Sequence, residues 1–361
     1  MSTLRVEALE QPDGTAFVFN NKNLFINGGM NVWQRSTSAS VSTDTYSTVD
    51  RWKTRVVFMG AFTISRSTDV PSAQGFGYST KWDCTTADAS PGSFDRLVLE
   101  QRIEGQNLQH LLKGTSSAKK LTLSFWVKSN KTGTYIARIY DGDNTRHICK
   151  AYTIDTASTW EKKEITFDGD TTGTLDNDNG GSLWVQFWLG AGSTYTSGTL
   201  DTSWGAEVAA NSAVGQVNLA DSTSNEFYIT GIQLEVGSTA SGFEFEPYEA
   251  ILRKCHRYFY AHEYNQQEFI YNESATATSK WLQTYFPNEM RASSGSMTLS
   301  SGMTGGAVSG LSGTVSNVSL VSLSPNRASM RVTMSTSSGV NRAMYHCDTF
   351  DGDFSYFDME L

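Results

Sequence analysis

The chain has 361 residues, carries 28 Lys and Arg against 37 Asp and Glu for a net charge of −9, and is 18% charged and 12% aromatic. Such a mix excludes a disordered chain, which is charge-rich and poor in aromatics. The acidic balance, without any Lys/Arg run, excludes a partner gripped through its phosphate backbone, so no nucleic acid is expected. No stretch approaches the roughly 20 consecutive apolar residues of a membrane span, so membrane insertion is not expected either. Met-Ser-Thr-Leu-Arg at the start lacks the basic-then-apolar layout of a secretion signal, and the expectation is a chain made in a cytosol.

From the beginning, residues 1–20 read as a short extended arm around the turn Pro12-Asp-Gly14, too small to bury a core of its own. Its apolar residues Leu4, Val6, Phe17 and Phe19 are candidate anchors onto a larger assembly. Between Arg96 and Lys113, Leu97, Ile103, Leu108, Leu111 and Leu112 follow no alternation, which fits a short helix broken near Gly105 or a strand followed by a helical turn. Five strands then follow from β-branched and aromatic runs: Leu121–Val127, Thr134–Tyr140, Lys163–Phe167, Leu183–Leu189 and Glu226–Val236. Asn130–Gly133, Tyr140–Asn144, Asp168–Asp170 and Asp176–Gly181 supply the Gly, Asn and Asp that turns need. Apolar spacing in Ile251, Leu252 and Cys255 after Pro247 predicts a helix over Glu249–Arg257. Beyond Tyr260, Ser, Thr, Gly and Met become dense, with weaker alternation in Val315–Leu323 and Met330–Met334 and a final apolar run Phe354–Leu361. The sum is an all-β protein: a jelly-roll β-sandwich over 21–248, preceded by the arm and followed over 249–361 by a short helix and a second, smaller β domain.

Alternation assigns faces. In Leu183–Leu189 the apolar set Leu183, Val185, Phe187 and Leu189 points one way and Trp184, Gln186 and Trp188 the other. In Leu121–Lys128 the outward set contains Trp126 and Lys128. Flat indoles beside amide and cationic groups have the chemistry that grips a sugar, the ring faces stacking and the hydroxyls taking hydrogen bonds. The same faces equally suit burial under a loop, a sheet or another subunit. The acidic turns offer Asp141, Asp143, Asp176 and Asp178 as oxygen ligands for a structural calcium ion, beside the alternative of solvated turn carboxylates; no other cofactor is expected. Cys84, Cys149, Cys255 and Cys347 form no CxxC or Cys/His cluster, and GxSxG, HExxH, P-loop and GxGxxG motifs are absent, so no catalytic residue is assigned and no enzyme expected.

Several stretches resemble a family of phage virion proteins, of marine phages and prophages, usually labelled tail fibre or carbohydrate-binding-like. The likeness runs in order through Asn23-Leu-Phe-Ile-Asn-Gly-Gly-Met-Asn-Val-Trp-Gln-Arg35, Val49-Asp-Arg-Trp52, Gln101-Arg-Ile-Glu104, Leu121–Ser129, Thr159–Lys163 and Gly215–Asp221. It closes with Tyr228–Gly237, Phe243–Tyr248 and Cys255-His-Arg-Tyr-Phe259. This resemblance implies a jelly roll similar to carbohydrate-binding modules, mounted on a virion as a homotrimer, with other tail or capsid proteins and host-surface polysaccharide as partners. The arm would then attach the chain to the virion, after assembly in the host cytoplasm. The alternative is a structural adaptor or capsid decoration whose aromatic faces meet only virion proteins, and a glycan depolymerase is the remaining one.

Overall fold

The computed structural model describes residues 22–264, 269–271, 279–292, 296–299, 315–334, 345–346 and 353–360. Leu4, Val6, Phe17, Phe19 and Cys347 lie outside the described residues.

Two six-stranded antiparallel sheets face each other. The back sheet runs β1 (Ser38–Val41), β3 (Ala61–Ser67), β4 (Ser79–Thr86), β12 (Glu226–Val236), β6 (Leu121–Ser129), β9 (Glu161–Phe167) in spatial order. The front sheet runs β11 (Gly205–Ala206), β8 (Arg146–Ile154), β7 (Gly133–Asp141), β10 (Gly181–Ala191), β5 (Arg96–Glu104), β2 (Lys53–Val57). Within these, β4-β12-β6-β9 and β5-β10-β7-β8 are the two interlocked four-stranded orders of a jelly roll, so the all-β class and the sandwich architecture follow from the strand pairing itself.

The core is the set of inward-facing residues that alternation assigns. Leu123, Phe125 and Val127 of β6 and Val185, Phe187 and Leu189 of β10 are all fully buried, each contributing about 1.5–3 kcal/mol by leaving water. Phe125 meets Phe187 edge-on with ring centroids 5.0 Å apart, joining the sheets. In β12 the pairing with β6 slips between Thr230 and Gln233, and the extra residue turns Phe227 and Ile229 on one side of it, and Ile232 and Leu234 on the other, toward the same core. Gly231 makes that bulge possible, with φ +62° and a Cβ position that would lie 2.5 Å from the Phe76 ring.

Residues 23–35 seal one end of the sandwich. Asn27 is buried and its amide accepts from the Asn31 and Val32 N–H groups while donating to the Val32 and Asp50 carbonyls. Gln101 of β5 exchanges two 2.9 Å bonds with the backbone of Ile26, and Gly28 lies so close to the Ile232 carbonyl that a Cβ would stand 2.0 Å from it.

Two features stand out early in the chain. Arg96–Lys113 is a strand, β5, followed by the 3-10 turns Gly105–Asn107 and Gln109–Leu111, the second of the two readings. Strands β1 to β4 and β8 carry no clear apolar run. In β4, Trp82 and Cys84 alone mark the buried face among Ser, Thr, Lys and Asp, so the strand signal is diluted by its polar side.

After the sandwich, α2 (Tyr248–His256) follows Pro247 and buries Ile251 and Cys255 against Val32; α1 (Ser193–Thr196) is a single turn after β10. Beyond α2 come two more sheets. One orders β13 (Phe259–Tyr264), β20 (Asp353–Asp358) and β16 (Ser296–Leu299). The other orders β17 (Val315–Ser324), β18 (Arg327–Met334), β15 (Ser279–Tyr285), β14 (Phe269–Tyr271) and β19 (Tyr345–His346). A buried ionic cluster ties the last strand to the sandwich: Arg51 pairs with Glu360 and lies 3.4 Å over the Tyr258 ring, while Arg35 pairs with Asp358 at 3.0 Å and Glu360 at 3.5 Å. Asp50 beneath Arg35 is buried, and burial pushes its carboxyl up to about 6 against the pull of Arg35.

Candidate functional site

The outer face of the front sheet carries a cleft of about 250 Å³. Strand register builds it. Trp184 of β10 lies opposite Arg102 of β5 and Tyr140 of β7, Gln186 opposite Glu100 and Arg138, and Trp188 opposite Val98 and Ile136. Arg55 of β2 faces Val98, and Arg96 stands at the start of β5. The residues between these point inward to the core, so the pleat that packs the sandwich also aims every second side chain into the cleft.

Trp184 forms the aromatic wall. Its ring centroid lies 4.9 Å from that of Tyr140, the Arg102 guanidinium covers it at 3.6 Å, and its indole N–H donates to the Gly181 carbonyl at 2.6 Å. Glu100 is the ionic floor, wholly buried. It accepts from Gln186 at 2.5 Å, Arg102 at 2.7 Å and Arg55 at 3.2 Å. Burial alone would raise the Glu100 carboxyl, but Arg55 and Arg102 beside it hold it below the usual carboxylate range. Arg138 lies 4.7 Å over the Tyr140 ring and pairs with Glu207, which reaches in from beside β11.

Four polar atoms of this cleft are buried without a hydrogen-bond partner among the described residues: Arg96 Nε, Arg138 Nε, Gln186 Oε1 and Trp188 Nε1. Buried polar groups are ordinarily satisfied, and one left alone costs about 1–3 kcal/mol. Four of them beside one concavity make this the place where an ordered water or a ligand would find unused donors and an acceptor.

Of the residues singled out by alternation, Trp184, Gln186 and Trp188 therefore come together, but with different exposures. Trp184 is half-buried at the wall and Gln186 is committed to Glu100. Trp188 is only 2% exposed, because residues 193–213 fold over it: Tyr195 lies 5.2 Å from its ring, and Ala213 and Leu200 complete the cover. It is a buried wall of the cleft and no open stacking platform. Trp126 and Lys128 belong to β6 of the back sheet, on the opposite outer face, where Lys128 pairs with Asp69 and lies 4.3 Å over the Tyr228 ring. The five residues thus fall in two separate places.

The acidic turns serve the chain itself. The Lys113 ammonium is buried within four oxygens, bonding Asp141, the Gly173 carbonyl at 2.9 Å and the Thr172 carbonyl at 3.0 Å, and pairing with Asp170 at 3.0 Å. Asp141 also accepts from the Asp143 and Asn144 N–H groups, Asp143 accepts from Asp176 N–H, and Asp178 from Gly180 N–H. Among the described residues no group of three or more His, Cys, Asp or Glu is arranged to hold a metal ion.

Other reactive groups near the cleft are subdued. Burial pushes the Cys149 thiol up to about 12, and burial followed by the nearby Arg138 lowers His147, whose Nε2 lies 2.8 Å from Asp201. Arg55, Arg96, Arg138 and Glu207 escaped the sequence reading. The signal that finds three of them is alternation carried into the neighbouring strands: Arg96 and Arg138 are out of phase with Leu97, Leu99, Ala137 and Ile139, and Arg55 with Val56.

No protein-family model matches the chain, and no curated protein matches it. Solved structures do share its outline. The enzymatically active domain of bacteriophage CBA120 tailspike protein 4 is 13% identical, with a TM-score of 0.33 over 62% of this chain and 23% of that one. TmCBM61, solved in complex with β-1,4-galactotriose, is 11% identical with a TM-score of 0.30 over 60% of this chain and 100% of that one. A family 11 carbohydrate-binding module from Clostridium thermocellum, in complex with a β-1,3-1,4-mixed-linked tetrasaccharide, is 14% identical, with a TM-score of 0.30 over 56% of this chain and 98% of that one.

Proposed function

We propose that the protein binds a carbohydrate chain in the front-sheet cleft without cleaving it, as a fibre or fibre-like component of a phage virion that contacts host-surface polysaccharide. The observation that carries the binding reading is the set of four unpartnered buried polar atoms beside the Trp184–Tyr140 wall. Apolar ring surface at the Trp184–Tyr140 wall, next to convergent donors and one acceptor, offers a sugar both its contacts, carbon against ring and hydroxyl to polar atom. Binding without cleavage is supported by the state of Glu100: a general acid needs a raised carboxyl pKa, and Arg55 and Arg102 work against it.

The virion placement rests on the ordered sequence likeness from Asn23 to Phe259. Within that stretch Asn27 and Gln101 seal the sandwich and Arg51 and Tyr258 tie on the last strand, so those residues hold the fold and do not line the cleft. Three copies on one fibre would multiply weak sites through effective concentration.

The test uses purified full-length protein on an array of bacterial surface polysaccharides, with light scattering for its mass. Retention of at least one polysaccharide, weakened about tenfold by Trp184→Ala and leaving its chain length unchanged, is the expected result. Absence of binding to every polysaccharide would move the protein to the adaptor or decoration reading, and shortened chains would make it a depolymerase.

A further inference from the structure

Resting on that reading, we infer that the front-sheet cleft selects a carboxylate-bearing sugar, with Arg96 as the residue that reads the charge. Three guanidinium groups line the cleft: Arg55, Arg96 and Arg138. Glu100 and Asp44 engage Arg55, and Glu207 engages Arg138. Arg96 is different. It donates from Nη1 to the Tyr195 hydroxyl and lies 5.7 Å over that ring, and among the described residues no carboxylate is within ion-pair distance of it. A cation enclosed in a concave site without a counter-charge is a place for an anion.

The unused hydrogen-bonding atoms have the same bias. Arg96 Nε, Arg138 Nε and Trp188 Nε1 are donors, whereas Gln186 Oε1 is the single acceptor. A neutral sugar hydroxyl supplies a donor as readily as an acceptor, but a carboxylate only accepts, offering two oxygens and about four lone-pair positions. Three free donors to one free acceptor therefore suit a uronic or nonulosonic acid better than a neutral hexose. The overall charge of −9 does not oppose this, since charges more than about 10 Å apart are largely screened at 0.1 M salt while contacts inside the cleft are not. Two strongly exposed rings, Phe58 just after β2 and Phe94 just before β5, stand at the strand ends near Arg96 in the chain and across the sheet.

The test is an array of acidic bacterial polysaccharides together with alginate, polygalacturonate and hyaluronan, each beside its carboxyl-reduced form, probed with the full chain. We expect the bound polysaccharide to be an acidic one and its reduction to weaken binding about tenfold or more, the scale of a lost charge-assisted hydrogen bond. Arg96→Gln should weaken binding to the acidic form by a similar factor and leave the two forms nearly equal, while Arg96→Lys, which keeps the charge but not the planar fork, restores part of the difference. Circular dichroism of both variants confirms folding, and rising salt should weaken wild-type binding more than that of Arg96→Gln. Equal binding of acidic and reduced forms, or selection of a neutral or only a sulfated glycan, overturns the carboxylate inference and leaves the glycan-binding reading standing. No binding to any polysaccharide overturns both.

Discussion

The two outer faces of the sandwich start from similar residues and end differently. On the back sheet, Lys81 pairs with Glu226 at 2.5 Å, the Tyr228 hydroxyl donates to Glu226 at 2.9 Å, Lys128 pairs with Asp69, and the Trp160 indole donates to Asp69 at 2.9 Å. Lys81, Tyr228, Lys128 and Trp160 thus each have a partner on the same face. On the front sheet a related mixture, with Arg in place of Lys, is enclosed by residues 193–213, Glu207 among them, yet Arg96, Arg138, Gln186 and Trp188 each retain an unused polar atom. Composition alone does not make a site. A face becomes one when its concavity removes water from groups that its own neighbours do not satisfy.

The largest expected effect tests whether the front face is held by its ionic floor. Glu100→Ala leaves Arg55, Arg102 and Gln186 without their shared acceptor and should lower the free energy of unfolding by on the order of 3 kcal/mol, seen as a lower urea midpoint. If the midpoint stays within the error of wild type, the floor is not what fixes the cleft. Next, Trp184→Ala should weaken polysaccharide binding about tenfold with little change in stability, whereas Trp126→Ala on the back face should leave binding within about twofold. Equal effects from both would erase the distinction between the faces.

Acid sharpens the comparison further. Burial lowers the His147 pKa, so the fold keeps this ring neutral; its contribution is present above the unfolded value near 6.5 and lost as pH falls through the lower folded value. Burial raises Asp50, so its contribution has the opposite sign, present at low pH and lost as pH rises through about 6. The difference between wild type and His147→Gln isolates the first: urea midpoints measured from pH 7.5 to 5 should fall less in the variant. Smallest of all, Lys128→Met on the back face removes a partly exposed ion pair and should shift stability by no more than about 1 kcal/mol.

How much of this was legible depends on where the information lies. β6, β10 and β12 announce themselves because one face is pure Leu, Ile, Val and Phe, and Trp184, Gln186 and Trp188 follow from the phase of β10. β3, β4 and β8 do not, since Ser, Thr and Lys on the outer side and only two or three apolar residues on the inner leave little period to read. The pairing of β5 with β10, which sets Glu100 beside Gln186 across 86 residues of sequence, is a property of jelly-roll topology and of no local pattern. The cover over Trp188 is likewise long-range, as is the arrival of Glu207 at Arg138. The split of the five proposed residues between two faces has the same origin, because alternation tells a strand's inside from its outside but not which sheet the strand joins.

Lys113 gives the loops beyond the front sheet an unusual kind of clamp. Its ammonium holds Asp141, Asp170 and the carbonyls of Thr172 and Gly173, so that the β7–β8 turn and the segment before β10 are gathered around a positive charge fixed to the chain. A charge carried on a side chain is not washed out by dilution, stripped by a chelator or exchanged for magnesium. The charge that gathers these two loops is thus supplied by the chain and arrives with folding.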